Sequence, residues 1–251
     1  MNKLVILRHG ESIWNLENKF TGWVDVDLSK NGIKEAKNAG ELLKKKGFKF
    51  DIAYTSLLKR AIKTLDICMN NLGINPIQIK KDWRLNERHY GTLQGLNKKE
   101  TAKKFGEKQV LLWRRSFDLP PPAMKKPSLF KNPNNEYNVV SPLSESLKDV
   151  VNRFKPMWIK EILGQIKLNK KILIVAHGNS LRALIMILKN LSETNIINLN
   201  IPTGIPLVVE LDNNNKYIND YYLGSKEFIK KKIQNVSSQG SIDANLNKNL
   251  N

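Results

Sequence analysis

The chain has little of several residue types that would place it in a class at once. Its 251 residues include one cysteine, Cys68, and only three histidines. A lone cysteine excludes an internal disulfide and fits a reducing compartment, so we expect Cys68 to be a small core residue. No apolar run in the sequence approaches the roughly 20 residues of a membrane span. The apolar opening stops at Arg8, too soon for a secretory signal, so we expect a cytoplasmic protein without a membrane partner.

Acidic residues are also scarce. The 23 Asp and Glu stand against 42 Lys and Arg, which gives a formal net charge of +19. Such a charge suggests nucleic acid, but the lysines are scattered along helical faces, and we expect no nucleic-acid partner. Only eight of the basic residues are arginine. Because arginine offers a rigid fork of donors suited to phosphate and carboxylate, six of them indicate a compact anion near the motifs described below: Arg8, Arg60, Arg84, Arg88, Arg114 and Arg115.

Two distant segments follow the same pattern. Residues 3–10 and 171–178 are each an apolar run that stops at His-Gly, with the histidines at His9 and His177. An unbroken apolar run is typical of a buried parallel strand. Ligands bind at the carboxyl ends of strands in parallel α/β sheets, so we expect both imidazoles to face one crevice. This pairing predicts an enzyme.

Strand and helix patterns alternate along the rest of the chain. Strand patterns lie at 51–55, 77–80, 207–211 and 217–222 and are interleaved with helical patterns. One such helix is predicted after the cap residue Ser29, because Ile33, Ala36, Gly40 and Leu43 repeat at helical spacing. We therefore predict an α/β layered sandwich with a mostly parallel central sheet and helices on both faces. We expect a single domain over 1–236, with a Pro- and Asn-rich inserted loop near 119–142, and a flexible C-terminal tail over 237–251.

The histidines and arginines, with one glutamate, suggest phosphoryl transfer. A neutral imidazole is a nucleophile near pH 7, and its attack on phosphorus gives a phosphohistidine. The transfer needs cations around the phosphoryl oxygens, which Arg8 and Arg60 can supply. The helix that follows His177 offers its N-terminus as a further anion site. Glu87, in the polar segment 85–91, is the candidate general acid/base.

Structural interpretations stay open for several of these residues. Glu87 could instead form a salt bridge with a neighbouring arginine, and Arg114 with Arg115 could be an exposed helix face. We expect His89 to be structural. Two histidines and a glutamate do not make a zinc motif here, because the sequence has no H-x-x-H or Cys-pair spacing. We therefore expect no metal.

Five motifs along the chain carry a family resemblance. They read Arg-His-Gly-Glu-Ser at 8–12, Phe-Thr-Gly-Trp at 20–23, Leu-Asn-Glu-Arg-His-Tyr-Gly at 85–91, Trp-Arg-Arg at 113–115 and Ala-His-Gly-Asn-Ser-Leu-Arg at 176–182. Together they resemble the cofactor-dependent phosphoglycerate mutases, within the histidine phosphatase superfamily. Arg-His-Gly alone marks only the superfamily, whereas the segment at 85–91 is far more specific. Ser12 resembles the mutase branch, because related bisphosphoglycerate mutases tend to carry Gly there.

The resemblance implies an isomerase of glycolysis and gluconeogenesis that interconverts 3-phosphoglycerate and 2-phosphoglycerate. It implies priming by 2,3-bisphosphoglycerate and no metal. His9 would carry the phosphoryl group, Glu87 would be the acid/base, and His177 would stabilise the transferring group electrostatically. The residues implied to surround that group are Arg8, Asn15, Arg60, Gly178 and Asn179. Those implied to bind the rest of the substrate are Thr21, Gly22, Tyr90, Lys98, Arg114 and Arg115, with Ser12 among the binding residues.

Two segments depart from the family pattern. The 119–142 loop is shorter than usual and lacks a Pro-Gly-His pattern, and the tail from Ser238 lacks the usual Gln-Gly-Lys. A weakened lid would let water compete for the phosphohistidine. A histidine-type phosphatase with water as acceptor therefore stays open beside the mutase, and a basic nucleic-acid-binding protein rests on charge alone. The partners implied are small phosphorylated three-carbon acids, and a dimer or a tetramer stays open.

Overall fold

A six-stranded sheet crosses the protein in a computed structural model that describes residues 2–73, 77–131 and 138–239. Its order is β3-β2-β6-β1-β7-β8. The first four strands in this order are parallel to one another, β7 is antiparallel to its neighbour β1, and β8 is antiparallel to β7. A separate two-stranded hairpin is formed by β4 and β5. The strands are β1 (Asn2–Arg8), β2 (Ile52–Thr55), β3 (Gln78–Lys81), β4 (Leu129–Lys131), β5 (Asn138–Val140), β6 (Ile172–Ala176), β7 (Leu207–Leu211) and β8 (Tyr217–Tyr222).

Helices cover both faces of this sheet. They are α1 (Ile13–Leu16), α2 (Lys30–Lys45), α3 (Lys59–Leu72), α4 (Lys98–Phe105), α5 (Glu107–Arg115), α6 (Leu147–Met157), α7 (Leu163–Lys167), α8 (Gly178–Lys189), α9 (Glu193–Ile197) and α10 (Lys226–Ser237). A π-helical turn over Trp158–Ile162 joins α6 to α7, and short 3₁₀ turns occupy Trp83–Leu85 and Gly91–Leu93.

Strand β1 shows why both faces are covered. Successive side chains of a strand point to opposite faces. Leu4 and Ile6 pack into the cluster that includes α6 and α8, whereas Val5 and Leu7 pack into the cluster that includes α2 and α3. All four are buried, as an unbroken apolar run requires. The predicted mostly parallel sheet with helices on both faces is confirmed.

Most predicted elements agree with the structure, and two segments differ. Helix α2 begins as expected after Ser29, whose hydroxyl oxygen accepts a hydrogen bond from the Gly32 N–H at 3.0 Å. Within the predicted 119–142 loop the structure adds the β4–β5 hairpin, and residues 132–137 of that loop lie outside the described residues. Helix α10 had no prediction, and none of its residues is buried, although Phe228, Ile229, Ile233 and Val236 recur at helical spacing.

Other expectations concern single residues or the chain as a whole. Cys68 is a free, buried thiol in α3, as expected. Across the described ranges no helix is long and apolar enough to cross a membrane. The domain division at residue 236 stays a prediction, and residues 240–251 of the predicted tail lie outside the described residues.

Candidate active site

The two His-Gly segments meet at the carboxyl edge of the sheet. Strands β1 and β6 are parallel neighbours with Arg8 opposite Ala176, so the residues that follow them lie side by side. The His9 N–H donates to the Ala176 carbonyl at 3.0 Å, and the His9 and His177 ring centroids are 4.9 Å apart. The two imidazoles therefore lie side by side at this edge of the sheet.

The hydrogen bonding of His9 fixes its tautomer. Its Nδ1 lies 2.7 Å from the Gly10 carbonyl oxygen. A carbonyl can only accept a hydrogen bond, so Nδ1 carries the hydrogen and Nε2 keeps its lone pair. Burial and the positive charges of Arg60 and Arg8 hold the pKa of His9 well below its usual range. His9 is therefore neutral near pH 7, with Nε2 available as a nucleophile.

Close backbone contact holds the His9 loop in place. A Cβ atom added to Gly10 would lie 2.3 Å from the carbonyl oxygen of Gly32, in the first turn of α2. The Gly10 N–H also donates to the Thr64 hydroxyl in α3, at 3.0 Å. Glycine is therefore required after the nucleophile, because the loop is packed directly against two helices.

His177 is the N-cap residue directly before α8 and is fully buried. Its Nε2 lies 2.7 Å from the Ser56 hydroxyl. Its Nδ1 is buried without a hydrogen-bond partner in the described structure. Burial and the charge of Arg60 hold the pKa of His177 well below its usual range. If Ser56 donates its hydrogen to Nε2, the free Nδ1 carries a hydrogen that a ligand oxygen can accept.

Arg8 and Arg60 bring two buried guanidinium groups beside the histidines. Arg8 donates from Nη1 to the Ile201 carbonyl at 2.8 Å. Arg60 donates to the Val24 carbonyl from Nη1 and to the Gly22 carbonyl from Nη2, at 2.9 and 2.8 Å. Burial lowers the pKa of Arg8 and lowers that of Arg60 to about 10. Both groups remain charged near pH 7, because arginine keeps its proton in proteins.

Glu87 lines a cavity that Arg8 and Gly178 also line, and it is 8% exposed. Its Oε1 accepts from the Arg88 N–H at 2.8 Å, from the Asn179 N–H at 3.1 Å and from Asn179 Nδ2 at 2.9 Å. Burial alone would raise the pKa of Glu87, but these hydrogen bonds, together with the charges of Arg8 and Arg60, outweigh it and lower that pKa. Arg84 pairs instead with Asp82 and Glu161. The salt bridge considered for Glu87 with Arg84 is therefore absent, and Arg88 reaches Glu87 through its backbone N–H.

A second group of cations faces the same cavity. Arg114 is 8% exposed and Lys98 is 7% exposed, so Arg114 does not belong to an exposed helix face. Burial, with the positive charges of Arg114, Arg8 and Arg115, holds the pKa of Lys98 well below its usual range. Such crowding of buried like charges is unfavourable unless an anion joins them.

Lys98 also contacts the start of the C-terminal tail. Its Nζ donates to Gln239 Oε1 at 3.0 Å, and Gln239 and Val236 line the cavity. The described part of the tail therefore reaches the site. Ser241, where the sequence departs from the family pattern, lies outside the described residues.

The cavity has a volume of about 70 Å³, several times the roughly 10–15 Å³ that holds one water molecule. Most of the predicted site residues line it: Arg8, Asn15, Thr21, Gly22, Glu87, Tyr90, Lys98, Arg114, Arg115, Gly178 and Asn179. His9, Arg60 and His177 are buried and do not line it, although His9 and His177 adjoin the lining residues Arg8 and Gly178 along the chain. Ser12 is also buried, and its hydroxyl oxygen accepts from the Asn15 N–H at 3.1 Å, so it positions Asn15 and forms no part of the wall.

Some lining residues escaped sequence reasoning: Lys19, Phe20, Arg182, Ile201, Val236 and Gln239. Arg182 had a usable signal, since a residue three positions after Asn179 shares its helix face. Val236 lies in α10 and Gln239 just after it, and because that helix was not predicted, neither residue had a signal in the sequence. His89 does not line the cavity, and its Nδ1 accepts from the Gly91 N–H at 3.1 Å, which agrees with a structural role.

Several buried donors in the cavity wall or beside the two histidines have no hydrogen-bond partner within the described part of the chain. Among the described residues, these atoms include Arg8 Nε, Arg60 Nε, Thr21 Oγ1 and His177 Nδ1. Leaving a buried donor unpaired costs about 1–3 kcal/mol. A ligand rich in acceptor oxygens, such as a phosphate ester, would satisfy them together.

Comparison with known proteins agrees with this arrangement. The family model described as the histidine phosphatase superfamily (branch 1) matches residues 4–223. Curated proteins from two strains of Porphyromonas gingivalis, both named 2,3-bisphosphoglycerate-dependent phosphoglycerate mutase, are 53% identical over 247 residues. The match covers 96% of this chain and 99% of each relative.

Solved structures share the fold at lower identity. A mycobacterial glucosyl-3-phosphoglycerate phosphatase has a TM-score of 0.70 and 24% identity, covering 90% of this chain and 100% of its own. YhfR from Bacillus stearothermophilus has a TM-score of 0.66 and 23% identity, covering 87% and 95%. These likenesses show the fold alone. From the family match and the close relatives, this chain belongs to the histidine phosphatase superfamily, in the family of the 2,3-bisphosphoglycerate-dependent phosphoglycerate mutases.

Proposed function

We propose that this protein is a phosphoglycerate mutase that interconverts 3-phosphoglycerate and 2-phosphoglycerate through a phosphohistidine on His9. The observation that carries this proposal is the neutral His9 with a free Nε2 beside two buried arginines whose Nε–H groups have no partner among the described residues. A nucleophile among unpaired cationic donors is what phosphoryl transfer requires.

The transfer proceeds by in-line substitution at phosphorus. His9 Nε2 forms the new N–P bond as the P–O bond to the leaving oxygen breaks. Arg8, Arg60 and the N-terminus of α8 surround the equatorial oxygens, and His177 Nδ1 donates to one of them. The same groups hold the phosphoryl group while it resides on His9.

Glu87 moves the proton, and its lowered pKa sets the order of its roles. The carboxylate is ionised in the resting protein, so it first acts as a base and takes the proton of the substrate hydroxyl that attacks the phosphohistidine. The protonated Glu87 then returns this proton to the oxygen that leaves when His9 is phosphorylated again. Proton and phosphoryl group are thus both restored after one cycle.

2,3-Bisphosphoglycerate fits this site, because the unpaired donors at Arg8, Arg60 and Thr21 can take one phosphate while Lys98 and Arg114 lie where a second anionic group would bind. When bound, it supplies the phosphoryl group that primes His9. The cations at the far end favour a mutase over a simple phosphatase, which needs fewer anchors for the part of the substrate that is not transferred.

The proposal extends to the setting of the reaction. We infer a place in glycolysis and gluconeogenesis, in the cytoplasm, with small phosphorylated three-carbon acids as the partners and without a metal. In the described ranges no group of three or more His, Cys, Asp or Glu is arranged to hold a metal ion; metal independence itself stays a prediction.

A quenched assay that measures 2-phosphoglycerate directly tests the proposal. We expect conversion of 3-phosphoglycerate that is stimulated by 2,3-bisphosphoglycerate and unchanged by EDTA. A coupled enolase assay cannot be used with the chelator, because the coupling enzyme needs magnesium. Phosphate release that matches or exceeds isomerisation would show a phosphatase instead, and a loss of activity in EDTA would contradict the metal-free mechanism.

A further inference from the structure

Arg182 is a buried arginine in the wall of the cavity to which the mechanism above gives no task. It lies in α8 and is 3% exposed. Its Nη1 donates to Asn179 Oδ1 at 2.9 Å, and its Nη2 donates to the Ile196 carbonyl in α9 at 2.8 Å. The guanidinium is therefore held on two sides and presents one N–H to the Asn179 amide.

That contact decides which way the Asn179 amide faces. An arginine has only donors, so Asn179 must turn its oxygen toward Arg182. The amide nitrogen then points the other way, where it donates to Glu87 Oε1 at 2.9 Å and to the Tyr90 hydroxyl at 3.2 Å. A flipped amide would place an oxygen against the carboxylate and would repel it.

The result is a carboxylate with two unequal oxygens. All the hydrogen bonds described for Glu87 end on Oε1. Oε2 lies toward the start of α8, 3.6 Å from where a Cβ atom would lie on Gly178. With Oε1 occupied by three donors, Oε2 is left to exchange a proton with the substrate.

We propose that Arg182 is a positioning residue for the acid/base step: it locks the Asn179 amide so that Asn179 donates to Glu87 Oε1 and leaves Oε2 as the atom that moves the proton. This inference rests on the proposed function, since it concerns the Glu87 of that same site. Arg182 acts through Asn179 and is itself no proton carrier.

Loss of the Arg182–Asn179 hydrogen bond should change the pKa of Glu87 in one direction. Charged and titratable groups face Glu87 from several elements: Arg8 of β1, Arg60 of α3, Lys98 of α4, Tyr90, and Arg182 itself. The other cations, Arg8, Arg60 and Lys98, remain when Arg182 is replaced, so Glu87 stays ionised near pH 7. A lost or reversed Asn179 hydrogen bond removes one group that stabilises the anion, so the pKa of Glu87 rises.

Arg182→Met is the primary variant, with Arg182→Lys as the conservative one. We expect Arg182→Met to lower kcat about tenfold, with little change in KM, and to move the acid limb of the kcat profile up by about one pH unit.

Burial, together with the positive charges of Arg115 and Arg88, lowers the pKa of Arg182 to about 9, so removing this side chain relieves a buried charge. Arg182→Met is therefore expected to fold. Arg182→Lys keeps a donor for Asn179 Oδ1, and we expect it to recover most of the rate and the original acid limb.

A double-mutant cycle separates positioning from a merely structural role. If Arg182 acts through Asn179, adding Arg182→Met to Asn179→Ala lowers kcat by less than about twofold, although each single variant is impaired. Arg84→Met is the matched control, because it removes an arginine that pairs with Asp82 and Glu161 outside the cavity. Its acid limb should match that of the parent protein.

The outcomes divide cleanly. A shifted acid limb, rescue by lysine and a non-additive cycle support the inference. An unchanged limb with a lower melting temperature would show that Arg182 only holds α9, and a rise in KM with kcat unchanged would show a direct substrate ligand; either result overturns it. A parent protein that does not isomerise 3-phosphoglycerate refutes the proposed function instead, so the two failures are distinguishable.

Discussion

Replacing Lys98 by methionine tests whether the cations at the far end of the cavity serve binding at the expense of stability. Lys98 is the first residue of α4, where the helix dipole disfavours a positive charge. It is 7% exposed, and Arg114, Arg8 and Arg115 add to the burial that lowers its pKa. The hydrogen bond to Gln239 and the charge of Glu87 do not offset this burial and crowding, so we expect Lys98 to serve an anionic ligand.

The size of the effect follows from the lost contact. A hydrogen bond to a charged group contributes about 1.5–3 kcal/mol, so Lys98→Met should raise KM for 3-phosphoglycerate by roughly 10- to 150-fold. The protein without substrate should become more stable, because the variant removes a buried cation from among three arginines. For a chain of this size, each kcal/mol raises the melting temperature by about 2–4 °C.

The assay combines initial rates with thermal unfolding. KM comes from the quenched 2-phosphoglycerate assay, and melting temperatures are measured with and without 2,3-bisphosphoglycerate. Lys99→Met is the matched control, because it removes a lysine from the same helix end without touching the cavity. An unchanged KM in Lys98→Met would refute a role in binding, and a lower melting temperature would refute the argument from charge crowding.

Three further predictions follow from the site. Glu87→Gln should lower kcat by about 10²–10⁴-fold in the quenched assay; a loss below tenfold would contradict proton transfer by Glu87. Gly10→Ala should reduce the free energy of unfolding by about 1–3 kcal/mol in urea, because its Cβ would lie 2.3 Å from the Gly32 carbonyl oxygen; unchanged stability would argue against that contact. His9 and His177 have lowered pKa values when folded, so the unfolded chain binds more protons below about pH 6.5, and stability should fall as the pH drops from 7.5 to 5.5. Equal or greater stability at pH 5.5 would contradict neutral buried histidines.

Much of the fold could be predicted because periodicity and burial agree. The apolar runs before His9 and His177 are buried on both faces of the sheet, which is the condition that makes such runs readable as parallel strands. The same pattern placed both histidines at one sheet edge. Helix α2 was predicted from its cap at Ser29, although Ile33, read as part of its apolar face, is 39% exposed.

The remainder depended on contacts that leave little trace in the sequence. Helix α10 buries no residue, so its apolar residues mark no element of the core, and the approach of Gln239 to Lys98 has no signal in the sequence. Lys232 of α10 pairs with the buried Glu35, whose Oε2 accepts from the Glu11 N–H at 2.7 Å. These partners are about 200 residues apart along the chain, and no local pattern links them.

The roles of single side chains were likewise beyond the sequence. Position and residue type indicated that Glu87 carries acid/base chemistry, but its lowered pKa follows from the hydrogen bonds to Oε1 and the charges of Arg8 and Arg60, which only the structure shows. The tautomer of His9 depends on the Gly10 carbonyl, and the amide orientation of Asn179 depends on Arg182. The tautomer and the amide orientation are set by contacts between residues that the folded chain brings together, and the pattern of residue types does not show these contacts.

The most direct test of the central claim is the state of His9 after priming. The protein is incubated with 2,3-bisphosphoglycerate, and its intact mass is measured before and after brief acid treatment, beside His9→Ala. We predict the added mass of one phosphoryl group that is lost in acid and absent from the variant. An unmodified protein that still isomerises 3-phosphoglycerate, or a His9→Ala variant with undiminished turnover, would contradict the account.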